Sequence, residues 1–139
     1  QKKEYRFEEI SLGLSESFQV EITREMMEKF RDISGDVNPL HNDTEFAKAR
    51  GYEDRVVYGM LIASQISTLG GVYLPGKYCL IHGVEIDFAR PVYIGDKLTI
   101  SGTVKEIHES VRRLTIKFVI RNQTGKTVSI GILKAGCML

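Results

Sequence analysis

Hydrophobic positions change their spacing about halfway along this chain. Met26, Phe30 and Ile33 recur at helical intervals and predict an amphipathic helix with that face in the core. Thr23 is placed to cap its start, Glu25 suits its first turn, and Ser34-Gly35 marks its end. Just upstream, Phe18 to Ile22 alternates as a short strand. Asp43 is placed to cap a second short helix through about Ala49, with Phe46 turned inward. The segment from Gly59 to Leu69 contains no charged residue, only small hydroxyls and one Gln among its polar side chains. A surface helix would carry a polar face, so this one is expected to be buried on most sides. Gly59 and Gly70-Gly71 bound it, and it is far too short to cross a membrane.

After Pro75-Gly76 the period drops to two. His82, Val84, Ile86 and Phe88 are expected to share one strand face. Leu98, Ile100, Gly102 and Val104 repeat the alternation, as do Leu114, Ile116, Phe118 and Ile120, and a last strand carries Val128, Ile130 and Ile132. Gly95-Asp96, Glu109-Ser110 and Asn122-Gln123-Thr124-Gly125 read as turns between them. Four antiparallel strands following a buried helix, with one earlier strand to join them, give an α+β class with a sheet curled around a central helix.

The bulk properties narrow the function classes. The 139 residues suit one domain, residues 1–139, and 42% hydrophobic content supplies a substantial core. Nineteen basic against 18 acidic residues leave a net charge of +1, which argues against a nucleic-acid partner. Cys79 and Cys137 lie outside any zinc-ligand spacing, so no metal is expected. Two free thiols in a reducing cytosol fit better than a disulfide. The N-terminal Gln1-Lys2-Lys3-Glu4 is polar and leads into no apolar signal core, and no segment is a membrane span. These features suggest a cytoplasmic protein, trimmed or cut from something longer since it lacks an initiating Met.

The densest chemistry lies in Ser34-Gly35-Asp36-Val37-Asn38-Pro39-Leu40-His41-Asn42-Asp43. Pro39 has no amide hydrogen and biases Asn38 away from the α region, so a shaped loop is expected here. A carboxylate and an imidazole held close on a stiff loop are what proton transfer requires. Asx-turn chemistry with an incidental histidine would produce a similar string.

Three segments together resemble the MaoC-like, (R)-specific enoyl-CoA hydratases, a hot-dog-fold family. They are residues 34 to 41 with Asp43 and Phe46-Ala47; Val57-Tyr58-Gly59-Met60-Leu61 with Ser64 and Ser67; and Phe88-Ala89-Arg90-Pro91-Val92-Tyr93-Ile94-Gly95-Asp96-Lys97-Leu98. The first is specific to the activity, whereas the third marks the fold. The resemblance implies addition of water to a trans-2-enoyl thioester to give an (R)-3-hydroxyacyl thioester, or the reverse. In that chemistry Asp36 takes a proton from water attacking the β-carbon. His41 helps hold that water and delivers a proton to the α-carbon. No cofactor is implied beyond the substrate's own carrier, coenzyme A or acyl carrier protein.

Gly59 would begin the central helix, where an unpaired N–H and the helix dipole suit a developing thioester oxyanion. Lacking a side chain, it would let the thioester approach. The family also places a hydroxyl at the Ser67 position near the active site. Asn38 either shapes the loop or orients the pair. His82 reads as a core or interface histidine, not a ligand. Tyr58 departs from the family pattern, which often has His there, and would narrow the site or alter acyl preference. A homodimer with a joint ten-stranded sheet is implied, its acyl channel at the subunit boundary. A hot-dog thioesterase and a non-catalytic acyl-binding subunit are the alternatives. The absence of Asp and Glu from residues 59 to 69 weakens the first, and the intact Asp36/His41 pair weakens the second.

Overall fold

A computed structural model describes residues 2–139; Gln1, part of the polar N-terminal stretch read above, lies outside the described residues. Strand β1 (Ser15–Glu21) leads into α1 (Arg24–Ser34), a single helical turn α2 (Pro39–Asn42), α3 (Thr44–Ala49) and α4 (Gly59–Thr68). Strands β2 (Cys79–Phe88), β3 (Lys97–His108), β4 (Arg113–Arg121) and β5 (Thr127–Cys137) follow. All five strands form one antiparallel sheet in the order β1-β3-β4-β5-β2. The inward residues of the sheet and of α4 form one apolar cluster. This is the α+β, hot-dog arrangement expected from the sequence.

The central strands follow their pattern closely. Leu98, Ile100 and Val104 of β3 and Leu114, Ile116, Phe118 and Ile120 of β4 are all buried. Gly102 interrupts the β3 series for a packing reason. A Cβ there would come within 2.9 Å of Leu69, the fully buried residue that follows α4. Beyond Thr68 the backbone widens into a π turn, Leu69–Tyr73, closed by a bond from Leu74 N–H to Leu69 O at 2.8 Å. The central helical segment therefore runs past the glycines that were expected to end it.

The outer elements depart from expectation. In α1 the buried residue is Met27, and Ile33 is 83% exposed. At 100° per residue Ile33 lies about 120° around the helix from Met27 and has drifted off the packed side. Thr23 caps α1 as expected, its hydroxyl accepting from Met26 N–H, and Asp43 caps α3 through Glu45 N–H and Phe46 N–H. Phe46 is half-buried and Ala47 fully so.

In β2 the pairing register slips between Ile81 and Gly83. Such an irregularity shifts side-chain phase. It removes His82 from the face carrying Val84, Ile86 and Phe88 and leaves it exposed, accepting from Arg113 Nε at 2.9 Å. A second slip, between the pairs Ile120↔Ser129 and Arg121↔Thr127, splits the predicted β5 series. Val128 is buried, but Ile130 is 41% exposed, and the lower part of the strand contributes Leu133, Ala135 and Cys137 to the core instead.

The charge-free helix α4 is buried only on one side within the chain. Leu61, Ile62 and Ile66 face the core, while Met60, Ser64 and Ser67 lie together on an open face. That face and the exposed apolar side of edge strand β2 are uncovered in a single copy.

Candidate active site

The segment after α1 is shaped by its own short side chains. Gly35 takes the left-handed conformation at φ 74° and ends the helix, a conformation open to glycine. Ser34 Oγ accepts from Asp36 N–H at 3.1 Å, and Asp36 Oδ1 accepts from Asn38 N–H at 3.0 Å. Asn38 Oδ1 accepts from Leu40 N–H at 2.9 Å, making Asn38 the cap of α2 with Pro39 as its first residue. The expected shaped loop is therefore a chain of Asx turns ending in one helical turn. Asn38 spends its side-chain oxygen on that shape.

The turn delivers His41 to a defined orientation. Its Nδ1 lies 2.6 Å from the carbonyl oxygen of Val56. A carbonyl only accepts, so Nδ1 carries the hydrogen and Nε2 is the ring atom left for a ligand. The ring rests against Tyr58, with centroids 4.3 Å apart. Tyr58 is only 2% exposed, and its hydroxyl donates to the carbonyl oxygen of Asp36 at 2.6 Å. Asn42 Nδ2 donates to that same hydroxyl at 3.1 Å and to Asn38 O at 2.8 Å. Tyr58 thus points into the base of the loop instead of narrowing a channel.

Beside His41 opens a cleft of about 360 Å³, lined also by Tyr52, Val56, Gly59, Ile62, Phe88 and Arg90. Gly59 is the first residue of α4, so its N–H has no partner inside the helix. Its missing side chain also has a packing use. A Cβ at Gly59 would meet the Phe88 ring at 3.1 Å. The glycine lets strand β2 press an aromatic ring against the helix start.

The structure thus brings His41 and Gly59 to one cleft. Asp36, half-buried, joins them through the Tyr58 hydroxyl bond and does not itself line the cleft. Asn38 and Ser67 do not line it either; Ser67 is exposed on the open face of α4. Sequence reasoning missed Asn42, Val56 and the buried setting of Tyr58. The signal available was the unusual pairing of an amide just after His41 with a phenol just before the helix-start glycine.

Among the described residues no group of three or more His, Cys, Asp or Glu is placed to hold a metal. Cys79 and Cys137 are free thiols directly opposite each other on β2 and β5. Burial, then the neighbouring Cys137, pushes the Cys79 thiol up to about 11.

A family model described as MaoC like domain matches residues 9–127. The chain belongs to the MaoC-like family. Over 102 residues, 73% of this chain and 76% of the relative, this MaoC-like domain is 37% identical to the (R)-specific enoyl-CoA hydratase of Aeromonas caviae. It is 33% identical over 107 residues to the 3-hydroxybutyryl-CoA dehydratase of Methylorubrum extorquens, covering 77% of this chain and 68% of that one. The solved (R)-hydratase from A. caviae, described as involved in PHA biosynthesis, superposes with a TM-score of 0.87 at 30% identity, covering 92% of this chain and 97% of that one.

Proposed function

We propose that this MaoC-like domain adds water across the double bond of trans-2-enoyl thioesters to form (R)-3-hydroxyacyl thioesters, and catalyses the reverse dehydration. The observation that carries this reading is the shared cleft. An imidazole with a fixed tautomer and the open N-terminus of a central helix face the same space, in a chain related to named hydratases and dehydratases.

In the proposed reaction the enoyl thioester lies in the cleft with its carbonyl oxygen toward Gly59 N–H. Attack by water at the β-carbon moves the π electrons toward that oxygen. An N–H at a helix start stabilises the developing charge, and losing one such donor typically costs about 100- to 1000-fold in rate. One proton of the attacking water passes to the Asp36 carboxylate, which lies outside the cleft lining, through a bridging solvent molecule. His41 acts as the imidazolium: its Nδ1–H stays committed to Val56 O, its Nε2–H holds the water, and the Nε2 proton passes to the α-carbon, leaving the neutral ring. The proton held by Asp36 returns to His41 through solvent, which resets both groups. Addition of water changes no oxidation state overall and calls for no redox group. Coenzyme A or acyl carrier protein enters as part of the substrate.

The active form proposed is a homodimer. Among the described residues strand β2 pairs only with β5 and leaves its other edge free. Val84 and Phe88 on β2 and Met60 on α4 are apolar and exposed, and a second copy would cover them. Among the described residues no helix is long and apolar enough to cross a membrane. A cytoplasmic site of action is proposed on the two free thiols, Cys79 and Cys137, which suit a reducing compartment.

The test is crotonyl-CoA with parallel readouts. Loss of the enoyl absorbance without free thiol, and an (R)-configured product, are expected. Thiol release instead would make the protein a thioesterase, and neither change on short, medium and branched enoyl thioesters would make it a non-catalytic acyl-binding subunit.

A further inference from the structure

We propose that Tyr58 is a positioning residue that holds Asp36 and His41 in a fixed relation; this rests on the hydratase reading above. Tyr58 is the residue immediately before α4 and is 2% exposed, so it is anchored at the head of that helix. Its two ends grip different parts of the loop. The hydroxyl donates to Asp36 O at 2.6 Å and accepts from Asn42 Nδ2 at 3.1 Å. The ring packs between His41, at 4.3 Å, and Phe30 of α1, at 4.8 Å.

The loop itself supplies little of this order. Gly35, Val37, Asn38 and Pro39 are exposed, and the side-chain bonds among Ser34, Asp36, Asn38 and Leu40 are all local. Those bonds set the shape of the turn but do not set where it lies against the cleft. Placement comes from outside the loop at two points: Val56, whose N–H donates to Leu40 O at 3.1 Å and whose carbonyl accepts from His41, and Tyr58, whose hydroxyl donates to Asp36 O. The first orients one member of the pair. The second holds the backbone of the other, and the ring joining the two ends is rigid. A hydroxyl removed from this point should let Asp36 shift relative to His41 while both side chains remain present.

Misplacement by about an ångström is enough to cost on the order of 100-fold in rate, so a partial loosening should cost less. For Tyr58→Phe we expect kcat to fall about tenfold and KM for crotonyl-CoA to stay within about twofold. The circular dichroism spectrum should be unchanged. The decisive measurement is a double-mutant cycle: in an Asp36→Asn background the same hydroxyl removal should cost nothing further in kcat, because residues acting as a unit are non-additive. Wild-type kcat in Tyr58→Phe, or an equal loss in both backgrounds, would overturn the proposal. If the unaltered protein turned over no enoyl thioester, the hydratase reading would fall first. The restraint is then read from amide hydrogen exchange at Asn38, Leu40 and His41, which Tyr58→Phe should accelerate. Unchanged exchange there would refute the positioning role on its own.

Discussion

His41 Nδ1 and the Val56 carbonyl oxygen stand 2.6 Å apart, tying the imidazole to the strand of chain that leads into α4. This bond fixes which nitrogen faces the cleft and leaves no freedom to exchange tautomers without losing it. Replacing the ring or the carboxylate should therefore remove chemistry and leave the fold intact, since Asp36 and His41 are only half-buried. Asp36→Asn and His41→Ala are each expected to lower turnover of crotonyl-CoA by about 100- to 10,000-fold. Far-ultraviolet circular dichroism should be unaltered. Near-native turnover in either variant would show that the pair does not carry the reaction.

Gly59 sits under the Phe88 ring, and that contact leads to a stability prediction opposite to the one helix propensity gives. Alanine is normally favoured over glycine in helices. Here the added methyl would meet Phe88 at 3.1 Å. Forced overpacking in a core typically costs about 1–3 kcal/mol, and with Phe88 48% exposed the cost here is expected at or below the lower end of that range. Gly59→Ala should lower the melting temperature, and the second substitution Phe88→Leu should recover most of the loss. A Gly59→Ala protein that melts at or above the parent would mean the ring is free to move aside.

Strand faces were legible in β3 and β4. Each apolar residue of their alternating series is buried, because the register shift of the β3–β4 ladder, between Val104 and Glu106, falls just past the last residue of the β3 series. The edge strand β2 and its neighbour β5 each hold a register slip, and nothing in the order of side chains announces one. His82 and Ile130 were misplaced for that reason. At the site, Asp36, His41 and Gly59 could be picked out by residue type and by their positions on a turn and a helix start. The Tyr58–Asp36 bond could not, since it joins residues 22 positions apart that meet only once Tyr58 has packed against Phe30 of α1. Ile33 shows the same limit on a smaller scale, as spacing placed it near the packed face and the docking angle of α1 left it in solvent.

Met60, Ser64 and Ser67 form an open face on α4 although the helix carries no charge. Met60 is 65% exposed and Val84, on β2, is 43% exposed. Apolar surface of this kind on a central helix is expected to be covered by a second copy. Gel filtration should place the protein at twice its 15.7 kDa chain mass. Met60→Lys would bury an unpaired ammonium at the contact and should shift the elution to the single-chain mass. Elution of the unaltered protein as a single chain at micromolar concentration would rule the dimer out.

Alkaline pH should weaken the attachment of the N-terminal segment through one hydroxyl. Tyr5 O–H donates to Glu16 Oε2 at 2.5 Å, tying the residues before β1 to the strand itself. That bond, followed by desolvation and the Glu16 and Glu9 charges, raises the phenol from its ordinary 10.0 to about 12. Because the folded value lies above the unfolded one, the stabilisation is fully present below about pH 10. It is lost as pH rises through about 12, when the phenolate would face the Glu16 carboxylate. Tyr5→Phe lacks the bond at every pH. Its melting temperature should lie below that of the parent at about pH 9, and the gap should narrow as both approach about pH 12. A gap that stayed constant across that range, or widened, would show that the Tyr5 hydroxyl does not titrate in contact with Glu16.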